Sequence, residues 1–253
     1  MARLKDAVTI VTGAAGGIGR ASAVLLAAEG SRVGITDLNA EALEETAAII
    51  RTAGGEVIAI AGDIVQPETI DSLTTQVLEA FGHVDGLVNN AGIVLPKPIL
   101  NCTQEDFDKV LRINTWSCVI TAKRVVPQMI ELGRGSIVNV ASVGAKVALP
   151  ELAIYCASKG AVTALSRAMA LELGPTIRVN SLCPGGVDTP MAAEHFSHFP
   201  SREAALEVLA GRQIQKRYAE PEELANAVLF MVSPESSYMT GATISVDGGY
   251  SAW

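Results

Sequence analysis

Tyr155 and Lys159 stand four residues apart in the run Ile154-Tyr155-Cys156-Ala157-Ser158-Lys159, and Ser142 lies thirteen residues before the tyrosine. On a helix, residues four apart share a face, so a phenol and an ammonium here point into one site. A free phenol, with a pKa near 10, is almost wholly protonated at neutral pH. A cation nearby favours the phenolate and lowers that value. The pair therefore suits a proton donor or acceptor working near pH 7, and a serine hydroxyl beside it can hold a substrate oxygen. Cys156 adjoins the tyrosine, but one helical step turns it about 100° away, so adjacency alone gives it no role.

A second group of residues suits phosphate binding. The loop Thr12-Gly13-Ala14-Ala15-Gly16-Gly17-Ile18-Gly19 follows an apolar run and leads into a helical pattern. Glycines let the chain turn tightly and let backbone N–H groups approach a pyrophosphate, while the helix N-terminus adds partial positive charge. Gly13, Gly17, Ile18 and Gly19 are thus expected at a dinucleotide. Asp37 ends the next apolar run, twenty residues beyond Gly17. A carboxylate there can accept hydrogen bonds from both adenosine ribose hydroxyls and repel a 2′-phosphate. The loop holds no Arg or Lys, so NAD is expected rather than NADP, with Arg20 and Arg32 the nearest cations. The same Asp37 also suits a turn or helix cap in Asp37-Leu38-Asn39.

These groups need a frame that brings them together. Strand-like runs fall at 7–12, 32–36, 56–61, 84–89, 135–141, 177–182 and 243–246. Helical patterns fall between them, at 17–29, 40–53, 67–81, 104–131, 152–173 and 221–232. Short, continuously apolar strands fit a parallel sheet buried on both faces. Strict alternation predicts right-handed crossovers and one doubly wound α/β domain, a Rossmann fold, over 1–253. The stretch 190–217 breaks the rhythm and mixes Met191, His195, Phe196, His198 and Phe199 with polar residues, as a substrate lid does. His195 and His198 have no joining carboxylate or thiol cluster, so no metal site is expected.

Composition removes other classes. The formal charge of −8 argues against nucleic acid, which needs a basic surface. No apolar run reaches the roughly eighteen residues of a membrane span. The first residues run straight into a strand with no signal-like segment, so a cytoplasmic location is expected. Cys102, Cys118, Cys156 and Cys183 lack C-x-x-C spacing and read as reduced thiols.

Together these motifs resemble the short-chain dehydrogenase/reductase family over essentially the whole chain. The glycine loop is followed by Asn89-Asn90-Ala91-Gly92, Asn114, Ser142, the Tyr155/Lys159 pair and Pro184-Gly185, in the family's order. The resemblance implies that Tyr155 is the acid/base and that Lys159 lowers its pKa and bonds the nicotinamide ribose. It implies that Ser142 orients the substrate oxygen and that Asn114 holds a water linking Lys159 to solvent. Asp63 and Ile64 should flank the adenine. Asn90, Ala91 and Gly92 should line the adenine-ribose side or support the sheet centre, whereas Asn89 is expected to hydrogen-bond within the sheet. Pro184, Gly185, Val187 and Thr189 should lie by the nicotinamide.

The expected activity is interconversion of a secondary alcohol and a ketone with NAD. Candidate pocket residues Val94, Leu95, Val143, Leu149, Met191, Phe196 and Phe199, with the wall 147–152, are largely apolar and suit a hydrophobic or cyclic small molecule. The family often assembles as tetramers through the helix at 104–131 and the helix carrying Tyr155, so a homo-oligomer is expected. A 3-oxoacyl-[acyl-carrier-protein] reductase is the alternative, with Lys123 and Arg124 available to an acidic carrier. An enoyl reductase would space its tyrosine and lysine more widely. A non-catalytic NAD-sensing protein would be expected to lose Tyr155, Lys159 or Ser142.

Overall fold

The computed structural model describes residues 2–196 and 200–253. The side chains of Glu194, His195, Phe196, Val208 and Leu209 are outside the description, as are His198 and Phe199 altogether. The expectations for His195, His198, Phe196 and Phe199 therefore lie outside the described residues.

Seven strands form one parallel sheet: β1 (Val8–Thr12), β2 (Arg32–Asp37), β3 (Val57–Ala61), β4 (Gly86–Asn89), β5 (Gly135–Val140), β6 (Ile177–Pro184) and β7 (Thr243–Val246). Their spatial order is β3-β2-β1-β4-β5-β6-β7. The order reverses between β1 and β4, and a crevice opens there at the carboxyl ends of the strands. Register is fixed by pairs such as Val11 with Ile35 and Val11 with Val88.

Successive strand residues face opposite sides, and both sides are apolar, which accounts for the unbroken apolar runs. Val11, Ile35, Val138 and Leu182 pack on one side, under α1 (Gly17–Ala28), α2 (Ala40–Thr52) and α9 (Pro221–Val232). Ile10, Leu87, Ile137 and Val179 pack on the other. There they meet α3 (Pro67–Phe81), α5 (Ser117–Leu132) and α6 (Ala153–Leu173). Asn39 caps α2 by accepting from Ala42 N at 3.1 Å. Thr103 and Asp106 cap α4 (Gln104–Leu111) reciprocally, satisfying otherwise orphaned N–H groups.

Two segments differ from the sequence expectation. The pattern at 104–131 is not one α-helix: α4 and α5 are joined by a π-helical turn, Arg112–Trp116. Such wide turns are commonly found at functional sites, and this one carries Asn114. Two short helices, α7 (Pro190–Phe196) and α8 (Arg202–Leu209), form in the irregular stretch after β6. Among the described residues, no helix is long and apolar enough to cross a membrane.

Candidate active site

The glycine loop leaves β1 at the crevice. Gly13 has φ +68°, a conformation that side chains rarely adopt, and a Cβ there would lie 2.8 Å from Ala91 Cα. At Gly19, a Cβ would run into the Gly13 carbonyl oxygen. So α1 starts closer to the strand than any larger residue allows. The next strand's loop is fastened to the glycine loop. Thr12 Oγ1 accepts from Asn90 N and Ala91 N, both at 3.1 Å, and Asn90 Nδ2 donates to Gly13 O at 2.9 Å.

A cleft of about 490 Å³ opens above this junction. Of the residues expected at a cofactor, Gly13, Gly17, Ile18, Asp37, Asp63, Ile64, Asn90, Ala91, Gly92 and Thr189 line it. Gly19, Tyr155, Lys159, Pro184, Gly185 and Val187 do not. Gly19 sets helix packing, Pro184 ends β6, Gly185 packs on the Asp247 backbone and Val187 is buried beside Ala219. Asp37 accepts from Ala15 N and Asn39 N at 3.0 Å each, so it organises both the glycine loop and the turn into α2. Arg20 is turned to Thr46, the Ala15 and Ala42 carbonyls and Glu45. Arg32 stacks over Phe81 at 5.3 Å.

The glycine cradle and the carboxylate at its rim fit a nicotinamide dinucleotide. Thr36 is part of the same wall, its Oγ1 buried and without a hydrogen-bond partner among the described residues.

The chemistry-bearing side chains come from three elements around β5 and β6. Ser142, at the end of β5, caps a short 3-10 turn by accepting from Gly144 N at 3.1 Å. Tyr155 and Lys159 lie on the first turns of α6, with the Tyr155 phenol close enough to Ser142 for that side chain to bear on its ionisation. Lys159 is buried and donates to Val140 O at 2.9 Å. Burial brings its pKa down to about 8, because an ammonium removed from water loses solvation. Burial also pushes the Tyr155 phenol above its ordinary value, with Ser142 acting against it. The sequence reading had Lys159 holding that phenol low. In this arrangement the ammonium is 5.9 Å from the ring centroid and turned toward a carbonyl, and desolvation prevails.

Asn114 is almost fully engaged. Its Oδ1 accepts from Ile93 N at 2.7 Å, and its Nδ2 donates to Ile93 O at 2.9 Å and to Ser158 Oγ at 3.0 Å. The amide thus ties the loop after β4 to α6. Asn114 Oδ1 and Lys159 Nζ both face Gly92, where a Cβ would meet them at 3.1 and 3.3 Å. Asn89 bonds to Asn139 and Thr121 inside the sheet.

Sequence reasoning missed Thr12 as a clamp, along with Ile93, Ile113 and Pro190 in the cleft wall. It also missed the position of Cys156, whose sulfur lies against Gly144 next to Ser142. A threonine ending a glycine-loop strand was a readable signal for the clamp. The others depend on contacts between distant segments.

Comparison with known proteins agrees with this architecture. A family profile described as "Enoyl-(Acyl carrier protein) reductase" matches residues 13–251. A cyclopentanol dehydrogenase of Comamonas sp. (strain NCIMB 9872) is 38% identical over 253 residues, covering 100% of both chains. The crystal structure of a levodione reductase superposes with a TM-score of 0.93 at 36% identity, over 98% of this chain and 99% of that one. A variant of actinorhodin polyketide ketoreductase with NADPH gives 0.93 at 35% identity, over 98% of each. The chain is an oxidoreductase of the short-chain dehydrogenase/reductase family.

Proposed function

We propose that this protein interconverts a hydrophobic or cyclic secondary alcohol and its ketone, with NAD(H) as cofactor. The observation that carries the reading is the meeting of Ser142, Tyr155 and Lys159 beside a glycine-cradled cleft with Asp37 at its rim. The names of the relatives, a cyclopentanol dehydrogenase and a levodione reductase, support the substrate class.

Bound in the cleft, the nicotinamide would supply or accept the hydride. The residues do the rest. Ser142 holds the substrate oxygen. Tyr155 gives its proton to that oxygen in reduction and removes it in oxidation. Lys159, with N–H groups beyond the one given to Val140, bonds the cofactor ribose. Asn114 fixes the loop facing Lys159 and supports proton exchange with solvent through a held water. Asp37 receives the ribose hydroxyls and disfavours a 2′-phosphate; Arg20, occupied by Glu45 and two carbonyls, is not poised to greet one. The segment 190–217, from which Pro190 and Met191 line the cleft, acts as the lid. The protein works as a cytoplasmic homo-oligomer, a tetramer.

Carrier-protein reduction has less support, since Arg124, one of the two cations suited to an acidic carrier, is paired with Asp71. The test is a panel of secondary alcohols and ketones, followed by NADH formation or consumption, with kcat/KM measured for NAD and NADP. Equal use of both cofactors, or a preference for NADP, overturns the cofactor assignment. No turnover of any secondary alcohol or ketone overturns the activity.

A further inference from the structure

Cys156 follows the tyrosine in sequence, and the fold gives it a specific neighbour. A Cβ built on Gly144 would lie 3.2 Å from Cys156 Sγ, 3.2 Å from Leu149 Cδ1 and 3.5 Å from Ser142 Oγ. Three segments meet at this point: the 3-10 turn after β5, the chain leading into α6 and the first turn of α6 itself. The sulfur and the Ser142 hydroxyl thus approach Gly144 at the same point, one residue along α6 from Tyr155. Cys118 and Cys183 are buried, whereas Cys156 is half-buried.

We propose that Cys156, close to Gly144 at the point that Leu149 and Ser142 also approach, is a substrate-positioning residue that sets the room for one substituent of the ketone beside Ser142 and Tyr155. The proposal rests on the alcohol/ketone reading above. A thiol is a small, polarizable, weakly polar group, so it bounds an apolar substituent rather than holding a polar one. Gly144 is the counterpart of this contact: the absence of a Cβ there leaves the space that the sulfur and Leu149 take. Removing the sulfur frees about one heavy atom of volume. In an apolar pocket a change of that size alters discrimination by about tenfold or more.

The experiment compares wild type with Cys156→Ala, Cys156→Val, Gly144→Ala and the double variant Gly144→Ala/Cys156→Ala. Each is assayed on cyclic ketones of increasing ring size at saturating NADH, with kcat and KM separated. NADH affinity and thermal midpoint are measured alongside. Cys156→Ala is expected to raise kcat/KM for larger rings relative to cyclopentanone by about tenfold, mainly through KM. Cys156→Val and Gly144→Ala should shift the ratio the other way. The double variant should recover most of the Gly144→Ala loss, because the added methyl enters the space the sulfur leaves. A ratio within twofold of wild type in both Cys156 variants, with NADH binding intact, overturns the proposal, whatever the thermal midpoints do. It leaves the oxidoreductase reading standing. A wild type that binds NADH yet reduces no ketone overturns that reading and this proposal with it. Should Gly144→Ala fail to fold, the two Cys156 variants decide alone.

Discussion

Between β1 and β3 the chain builds the cleft around its glycine loop, whereas between β5 and β6 it gathers polar side chains. On the first side, Gly13 and Gly17 work by what they lack, and Asp37 is the one carboxylate at the tip of β2. On the second side, Ser142, Tyr155 and Lys159 are polar groups drawn out of water, and burial changes the ionisation of two of them. Steric permission costs the fold little. A buried ammonium weakens the folded state, because Lys159 exchanges its hydration for the Val140 carbonyl and has no carboxylate to pair with among the described residues. Substitutions in the first half should therefore damage binding and packing together, while substitutions in the second should separate activity from stability.

The largest effect is expected at Tyr155. Tyr155→Phe keeps the ring and removes the transferable proton, so turnover should fall about 10²–10⁴-fold. NADH affinity, read by fluorescence titration, should remain. Near wild-type turnover would place the proton donor elsewhere and erase the contrast between the halves.

Lys159→Met should lose both cofactor affinity and rate, yet gain stability. The folded-state pKa of Lys159 is about 8 against 10.5 for the free group. Between those values the unfolded chain binds the proton that the folded chain has released, so this group's contribution to stability rises with pH. Below about 8 it is a constant penalty. Removing the ammonium should stabilise the protein at pH 7 by up to about 3 kcal/mol. It should also flatten the difference between urea unfolding at pH 7 and pH 10. An unchanged pH slope in the variant would show that the lysine is not desolvated in solution.

Gly19→Ala tests the other half. The added methyl runs into the Gly13 carbonyl, and overpacking of this kind costs about 1–3 kcal/mol. Cofactor affinity and thermal midpoint should fall together, the affinity by about tenfold for a cost near the low end of that range. A loss of turnover with both left intact would contradict a purely steric role. The smallest expected effect is at Asp37. Asp37→Ala should narrow the ratio of kcat/KM for NAD over NADP by about tenfold, equivalent to about 1.4 kcal/mol. A ratio that does not move would transfer the cofactor preference to other residues.

The catalytic half was legible mainly because its residues are close in sequence and their chemistry is unusual. Tyr155 and Lys159 share a helical face by spacing alone, and Ser142 follows an apolar strand. Strand boundaries were readable within a residue, except where β4 starts two residues later and β6 runs on two residues to Pro184. The π-helical turn at Arg112–Trp116 was not, because hydrophobic spacing over a few residues looks alike for a wide and an ordinary turn. The contact between Cys156 and Gly144 was equally hidden. A helical wheel places Cys156 relative to Tyr155, but says nothing of which loop comes down upon it. The raised phenol was misread for a related reason: the sequence shows a neighbouring cation but not the water removed from both groups.

The wide turn between α4 and α5 also constrains the length of the chain. Val110, Asn114, Cys118 and Ala122 are all buried at intervals of four. In an ordinary α-helix such a row drifts about 40° around the axis at each step. A turn that takes in extra chain per revolution absorbs part of the drift, so both flanking helices keep their inward sides in phase. Deleting one residue other than Asn114 from this turn would let it close as an ordinary α-helical turn with both flanks keeping their faces, whereas adding one would rotate one flank by about 100° against the other. After such an insertion, either Asn114 would leave Ile93, or Val125 and Met129 would leave the sheet. The segment should therefore tolerate the loss of a single residue far better than the gain of one.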